Sequence, residues 1–409
     1  MTRIGDLIQD VGEDGVKFAE LSQIFTIRNG YTPSRAESSY WENGTIPWFR
    51  MEDIRRRGRV LGDSLQHVDK AAVKGGRLFA ANSVIMATSA TVGEHALITV
   101  PFLANQRFTC LTLKPEYEKR FDAKFVYYYC FILDEWCRRN TTKSSFVSVD
   151  MAGFRRFKFP VPPVGLQQEI VRTLDSFTEL EAELEAELEA RRHQYSYYRD
   201  DLLGGPHAQD MDQVPLGELG KFTRGRRFTN EDFDDTGFPC IHYGEIYTHY
   251  GLSAYSSKSR VRHDLVPKLR LAQPGDLIIV GGGENVEEVC KAVAWLGESP
   301  VAIHDECYMF HHSMSPKYVS YLFSSAVIRS QKARYARGAK IIRVSIDDLS
   351  KIRVPVPTID EQQRIVGILE KFDSLVNDLT VGLPAELKAR RQQYEYYRGR
   401  LLSFKEAAA

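Results

Sequence analysis

One segment of the chain occurs twice, and this governs how the rest can be read. PVPPVGLQQEIV at 160–171 aligns with PVPTIDEQQRIV at 355–366 at an offset of 195, and ARRHQYSYYRDDLL at 190–203 aligns with ARRQQYEYYRGRLL at 389–402 at 199. The second copy thus holds four more residues between its two blocks. A fainter echo joins VKFAELSQIFTIRNG at 16–30 to VPLGELGKFTRGRRF at 214–228. Self-similarity on this scale means one structural unit used twice. The unit is a globular domain followed by a helix, which divides the 409 residues into 1–159, 160–204, 205–354 and 355–409.

The helices are legible in their apolar spacing. Ile170, Leu174, Phe177, Leu180, Leu184 and Leu188 recur every three or four residues, as do Ile365, Leu369, Phe372, Leu375 and Leu379. Pro384, after Gly382, kinks or restarts the second helix. Forty residues of helix span about 60 Å, and an apolar stripe that long needs a partner. The other copy is the cheapest one. Leu174, Phe177, Leu180, Leu184 and Leu188 are therefore expected to pair with Leu369, Phe372, Leu375 and Leu379. The expected architecture is α+β, with two globular domains joined by two long antiparallel helices in pseudo-two-fold symmetry. The run TELEAELEAELEA at 178–190 repeats every four residues; its outer positions read equally well as a solvated acidic face.

The chain carries 54 Lys and Arg against 54 Asp and Glu, a neutral balance that taken alone argues against a nucleic-acid partner. The average hides a division. Residues 16–162 hold 22 basic against 14 acidic side chains and residues 212–357 hold 19 against 17, whereas 163–204 hold 4 against 10. Both globular parts are positive, the first more strongly. Its cations cluster as Arg50, Arg55, Arg56, Arg57 and Arg59, with Lys70, Lys74, Arg77, Arg138, Arg139 and Lys143 further on. In the second domain the groups are Arg224, Arg226 and Arg227, then Lys258, Arg260, Arg262 and His263, then Arg334, Arg337, Lys340 and Arg343. Phosphate contact is the natural use of such clusters, and a solvated basic loop the alternative. Tyr31 and Tyr243 are weaker candidates that read more simply as packing residues.

Tyr195, Tyr197, Tyr198 and Tyr394, Tyr396, Tyr397 stand beside Arg199 and Arg398 near the helix ends. Aromatics next to arginine are typical of interface anchors, and packing between the helices is the competing reading. The six cysteines are scattered and form no CxxC pair, which leaves them as buried thiols. The chain contains no GxxxxGKS/T phosphate loop, no Asn- or Asp-Pro-Pro-Tyr segment and no nucleotide-binding glycine fingerprint. Gly281–Gly283 follows the apolar run 277–280 and reads as a strand with a tight turn. His304, Asp305 and Glu306 are adjacent and cannot easily converge on one metal ion.

These features together resemble the specificity subunits of type I restriction-modification enzymes. The resemblance rests on the two junction segments, the paired RRHQYSYYRDDLL and RRQQYEYYRGRLL ends, GLPAEL at 382–387 and the ELEA repeats, and it covers nearly the whole chain. It implies two target-recognition domains, each reading one half of a bipartite double-stranded DNA sequence, with a tetrad run that sets the spacer. It also implies partners: two modification subunits that bind S-adenosylmethionine and methylate adenine, and ATP-driven restriction subunits that use Mg²⁺. The chain itself is then expected to be non-catalytic, to bind no cofactor or metal, and to be cytoplasmic with no membrane segment. The rival readings are a self-contained nuclease or methyltransferase and a coiled-coil scaffold that binds only protein.

Overall fold

The computed structural model describes residues 15–142, 147–378 and 380–407. Leu379 and Lys143, both singled out above, lie outside the described residues. Five helices carry the architecture: α1 (Ala123–Arg139), α2 (Val164–Gly204), α3 (Pro316–Ser324), α4 (Ile359–Asn377) and α5 (Leu383–Leu401). Packing groups the chain into two units, one holding the residues up to Glu183 together with those from Lys388, the other holding Leu184–Leu387. Each unit thus contains one domain, the start of that domain's own helix and the end of the other copy's helix. The four additional residues of the second copy fall where α4 and α5 are separate helices, with Pro384 at the second position of α5. Proline is tolerated there because that amide has no partner within the helix.

Each domain has a five-stranded sheet in the same order. In the first it runs Phe25–Asn29, Phe108–Leu113, Ser83–Ala87, His95–Ile98, Val60–Leu61; in the second, Gly220–Arg224, Cys307–His312, Leu277–Val280, Ala292–Trp295, Ser253–Ala254. The last pair is parallel in both. Val84–Ala87 of the first central strand and Leu277–Val280 of the second are uninterrupted apolar runs, as expected for strands covered on both faces. Strand alternation sorts them between two cores: Val84 and Met86 pack with α1, while Ile85 and Ala87 face a second cluster around Trp48 and Phe102. Leu277 and Ile279 likewise pack with α3, and Ile278 and Val280 face the other way. All six cysteines are free and buried.

The repeated Gln-Gln of the junctions has a physical reason. Gln167 is buried; its Oε1 accepts from the Asp122 amide at 2.9 Å, and its Nε2 donates to the Pro162 and Arg120 carbonyls at 2.8 Å. Gln362 does the same, accepting from the Ser315 amide at 2.8 Å and donating to Pro357 at 2.9 Å. Asp122 and Ser315 are the N-cap residues of α1 and α3. One buried amide in each unit therefore ties the start of the long helix to the cap of the domain helix, while the neighbouring Gln168 and Gln363 are exposed. Ion pairs repeat as well, Lys124 to Asp175 at 2.6 Å and Lys317 to Glu370 at 2.5 Å.

Helix segments run antiparallel within each unit. Phe177 stacks on Tyr397, and four residues later Glu181 meets Arg391 at 2.6 Å. In the second unit Tyr198 stacks on Phe372, and Leu188 and Leu387 share one core. Leu174, Leu188 and Leu369 are buried, and Leu184 and Phe372 pack against the same cores. Leu180 and Leu375 are exposed and join no core among the described residues. The cause is geometric: a strict four-residue repeat advances about 40° beyond a full turn at each step. Exposure falls accordingly from 46% at Leu180, through half-buried Leu184, to 7% at Leu188.

The start of the first domain is held by the chain's last described residues. The Val16 amide donates to the Lys405 carbonyl at 2.8 Å, and the Ala407 amide to Val16 at 2.9 Å. In the second unit the helix end and the domain start are joined by the chain itself, through Pro206–Gln209.

Candidate nucleic-acid interface

The two domains build the same turn. In the first, Ile46–Phe49 runs parallel to Leu103–Ala104, and the Asn105 amide donates to Phe49 at 3.0 Å. In the second, Phe233–Ile241 runs parallel to Val301–Ile303, and the His304 amide donates to Ile241 at 3.3 Å. A glycine closes over each turn. The Gly30 and Tyr31 amides donate to Phe108 and Ala104, as the Gly225 and Arg226 amides do to Cys307 and Ile303. A Cβ at Gly30 would lie 2.3 Å from the Ala104 carbonyl oxygen, and one at Gly225 2.1 Å from that of His304. Only glycine permits that approach. Gly30 thus corresponds to Gly225, a register of 195 rather than the 198 suggested by the letters of the faint echo.

Side chains fix the turn in both copies. The Arg107 amide donates to Asn105 Oδ1 at 2.8 Å, and the Glu306 amide to His304 Nδ1 at 3.2 Å. Beside it, a short helix begins after Arg50 or His242, whose amide donates to a buried carboxylate three residues on: Asp53 at 2.7 Å and Glu245 at 3.0 Å.

In the first domain the basic cluster lies on Met51–Arg57 and just beyond. Arg50 and Arg56 pair with Glu52 at 3.4 and 2.7 Å, and Arg57 with Asp63 at 3.2 Å. Arg55 is exposed and makes no ion pair among the described residues. Arg59 is turned inward, over the Phe131 ring at 5.3 Å and 3.6 Å from the buried carboxylate of Asp134, which His95 meets at 2.6 Å. Tyr31 is engaged by its hydroxyl, which donates to Ala72 and accepts from the Lys74 amide. Arg35, absent from the sequence clusters, lies over Trp41 at 4.4 Å. No neighbouring basic residue marks it in the sequence.

In the second domain Arg224 and Arg343 converge on residues 304–306. Arg224 Nε donates to the Asp305 carbonyl at 2.7 Å, and Arg343 pairs with Glu306 at 2.9 Å. Arg337 is joined to Arg343 through reciprocal backbone bonds, and Arg343 also pairs with Gly282 in a short antiparallel ladder. The glycine run is therefore part of a two-stranded pairing rather than a simple turn. It lines a cleft of about 480 Å³ with Tyr243, Tyr247, Glu306 and Ile341. Arg226, Arg227 and Lys340 are exposed and without ion pairs among the described residues. Arg262 leans on Asp232 and Asp264, both at 3.6 Å; Arg260 donates to the Gly237 carbonyl, and Lys258 is exposed. The His242 and His304 rings meet with centroids 4.5 Å apart and planes tilted by 57°, and burial holds both imidazoles below their usual range, toward the neutral form.

The six helix-end tyrosines separate into three kinds. Tyr195 is buried in the second unit's core, and Tyr394 packs against the first unit's. Tyr198 and Tyr397 stack on Phe372 and Phe177. Tyr197 and Tyr396 are left 68% and 62% exposed.

Comparisons with known proteins agree with this duplicated arrangement. The Methylase_S family, described as the type I restriction modification DNA specificity domain, matches residues 13–190 and again 208–389. The chain is 39% identical over 383 residues to the type I restriction enzyme EcoprrI specificity subunit of Escherichia coli, covering 89% of each. It is 32% identical over 300 residues to the EcoR124I/EcoR124II specificity subunit of the same organism, covering 69% of this chain and 70% of that one. A chain solved in a study of complex assembly and conformational transition of the type I R-M system shares the fold, with a TM-score of 0.66 at 15% identity, over 95% of this chain and 97% of that one. No helix among the described residues is long and apolar enough to cross a membrane. The chain belongs to the type I restriction-modification specificity family, as a specificity subunit with two DNA-recognition domains.

Proposed function

We propose that this subunit binds a bipartite double-stranded DNA target, with residues 1–159 reading one half-site and 205–354 the other, each through the major groove. The observation that carries this reading is the duplicated turn: two domains repeat one set of backbone bonds yet present different side chains, and each carries cations that make no ion pair among the described residues. Arg55 in the first domain, and Arg226, Arg227 and Lys340 in the second, supply phosphate contacts that fix register without carrying sequence information. The long helices set the distance between half-sites, and the tetrad run adjusts it.

The chain docks two modification subunits, and through them restriction subunits, by repeated surfaces near the helix ends. Tyr197 and Tyr396 are the matched anchors, since each repeats the other and both are exposed. The partners carry the chemistry, binding S-adenosylmethionine, ATP and Mg²⁺, and this chain binds no cofactor and acts in the cytoplasm. The test is to incubate the chain with DNA, Mg²⁺ and S-adenosylmethionine, alone and with its modification subunits. Methyl transfer at a two-part sequence only in the assembled complex is expected; transfer or cleavage by the lone chain would overturn the reading.

A further inference from the structure

The shared turn keeps its frame in both domains while its contents change sign. Asn105 and His304 hold it through equivalent bonds to the amide two residues on. The residues that follow are Gln106 and Arg107 in the first domain, both exposed, and Asp305 and Glu306 in the second, both half-buried. At the adjoining strand end stand Arg50 in one domain and His242 in the other. An amide and guanidinium set in one copy is thus replaced by carboxylates and an imidazole in the other.

We propose that Gln106 and Arg107 with Arg50 in the first domain, and Asp305 and Glu306 with His242 in the second, determine which bases each domain accepts. The frame supplies the reason: in both copies a close-approach glycine and a buried capping carboxylate hold the same backbone bonds, so the turn presents corresponding positions while the side chains at them differ. Their chemistry matches opposite base edges. A guanidinium donates to guanine O6 and N7 and a glutamine pairs with adenine, whereas a carboxylate accepts from the cytosine amino group. Carboxylates facing DNA need compensation against the phosphates, and it is present: Arg343 pairs with Glu306, and Arg224 is bound at the Asp305 carbonyl. Arg107 has no ion pair among the described residues, which leaves its donors available. Asn105 and His304 are positioning residues.

This assignment rests on the half-site reading above. The test uses the subunit assembled with its modification subunits and selects binding sequences from randomised duplex DNA. Two double variants are compared with the unaltered complex: Asp305→Gln with Glu306→Arg, and Gln106→Asp with Arg107→Glu. Each is expected to shift base preference about ten-fold to a hundred-fold at one or two positions of its own half-site, leaving the other half-site as it was. Glu306→Gln, which removes only the charge, is expected to weaken the same position without creating a guanine preference. Folded variants that keep the original preference, or that lose affinity equally for all sequences, would overturn the assignment of these residues. A failure of the unaltered complex to select any two-part target would instead sink the half-site reading.

Discussion

Phe177 stacks on Tyr397 with ring centroids 5.6 Å apart and planes 21° from parallel, and Phe372 meets Tyr198 at 5.5 Å and 28°. The two pairs are the same contact made once in each unit. In both, a phenylalanine from the start of one copy's helix meets a tyrosine from the end of the other's. Neither domain's helix is therefore complete without a segment encoded far away in the chain, which couples the copies without relying on their globular surfaces.

Replacing Phe177 or Phe372 with Ala is expected to cost about 2 kcal/mol each, less than a fully buried phenylalanine because both rings are half-buried. Urea unfolding checks this. A loss below a few tenths of a kcal/mol for both would show that the stacks are incidental.

Gln167→Leu and Gln362→Leu should each leave a capping-residue amide without its partner, at a cost of about 1–3 kcal/mol. Gln168→Leu and Gln363→Leu, on exposed neighbours, should be near neutral. Equal effects of the inner and outer substitutions would refute the account of the Gln-Gln motif.

Much of the architecture could be read from the repeat, because contacts that recur in space leave recurring letters where one side chain does one job: buried Gln167 and Gln362, or stacked Phe177 and Phe372. The matched turns could not. Gly30 and Gly225 persist because backbone approach demands them, but Asn105 and His304 perform the same bond with different chemistry, at an offset of 199. Arg59 was misleading for another reason, since its neighbours in sequence point outward and only the fold brings Asp134 within reach. Leu180 looked like its stripe-mates because letters do not record the 40° drift of a four-residue repeat.

Tyr197→Ala with Tyr396→Ala should weaken assembly with the modification subunits while leaving unfolding by urea unchanged. Tyr195→Ala, which empties a core position, should do the reverse and lower stability first. Unimpaired co-purification of the folded Tyr197/Tyr396 double variant would remove these residues from the docking surface.

Burial lowers the pKa of His312 from 6.5 to about 4. Between those values the unfolded chain binds the proton more readily than the folded one, so stability rises with pH across that window. The contribution is fully present above about pH 6.5 and is lost as pH falls toward about 4. His312→Phe should flatten the dependence of the urea midpoint between pH 5 and 7. An unchanged slope would place its origin elsewhere.

The helical spacer is tested most directly by deleting one tetrad, Ala182–Glu185, which spans the point where α2 passes from one unit to the other. The deletion removes about 6 Å of helix. Mapping methylated adenines with the assembled complex should then show a shorter gap between two unchanged half-sites. A changed half-site, or a gap that stays the same, would contradict the division between reading domains and spacer helices.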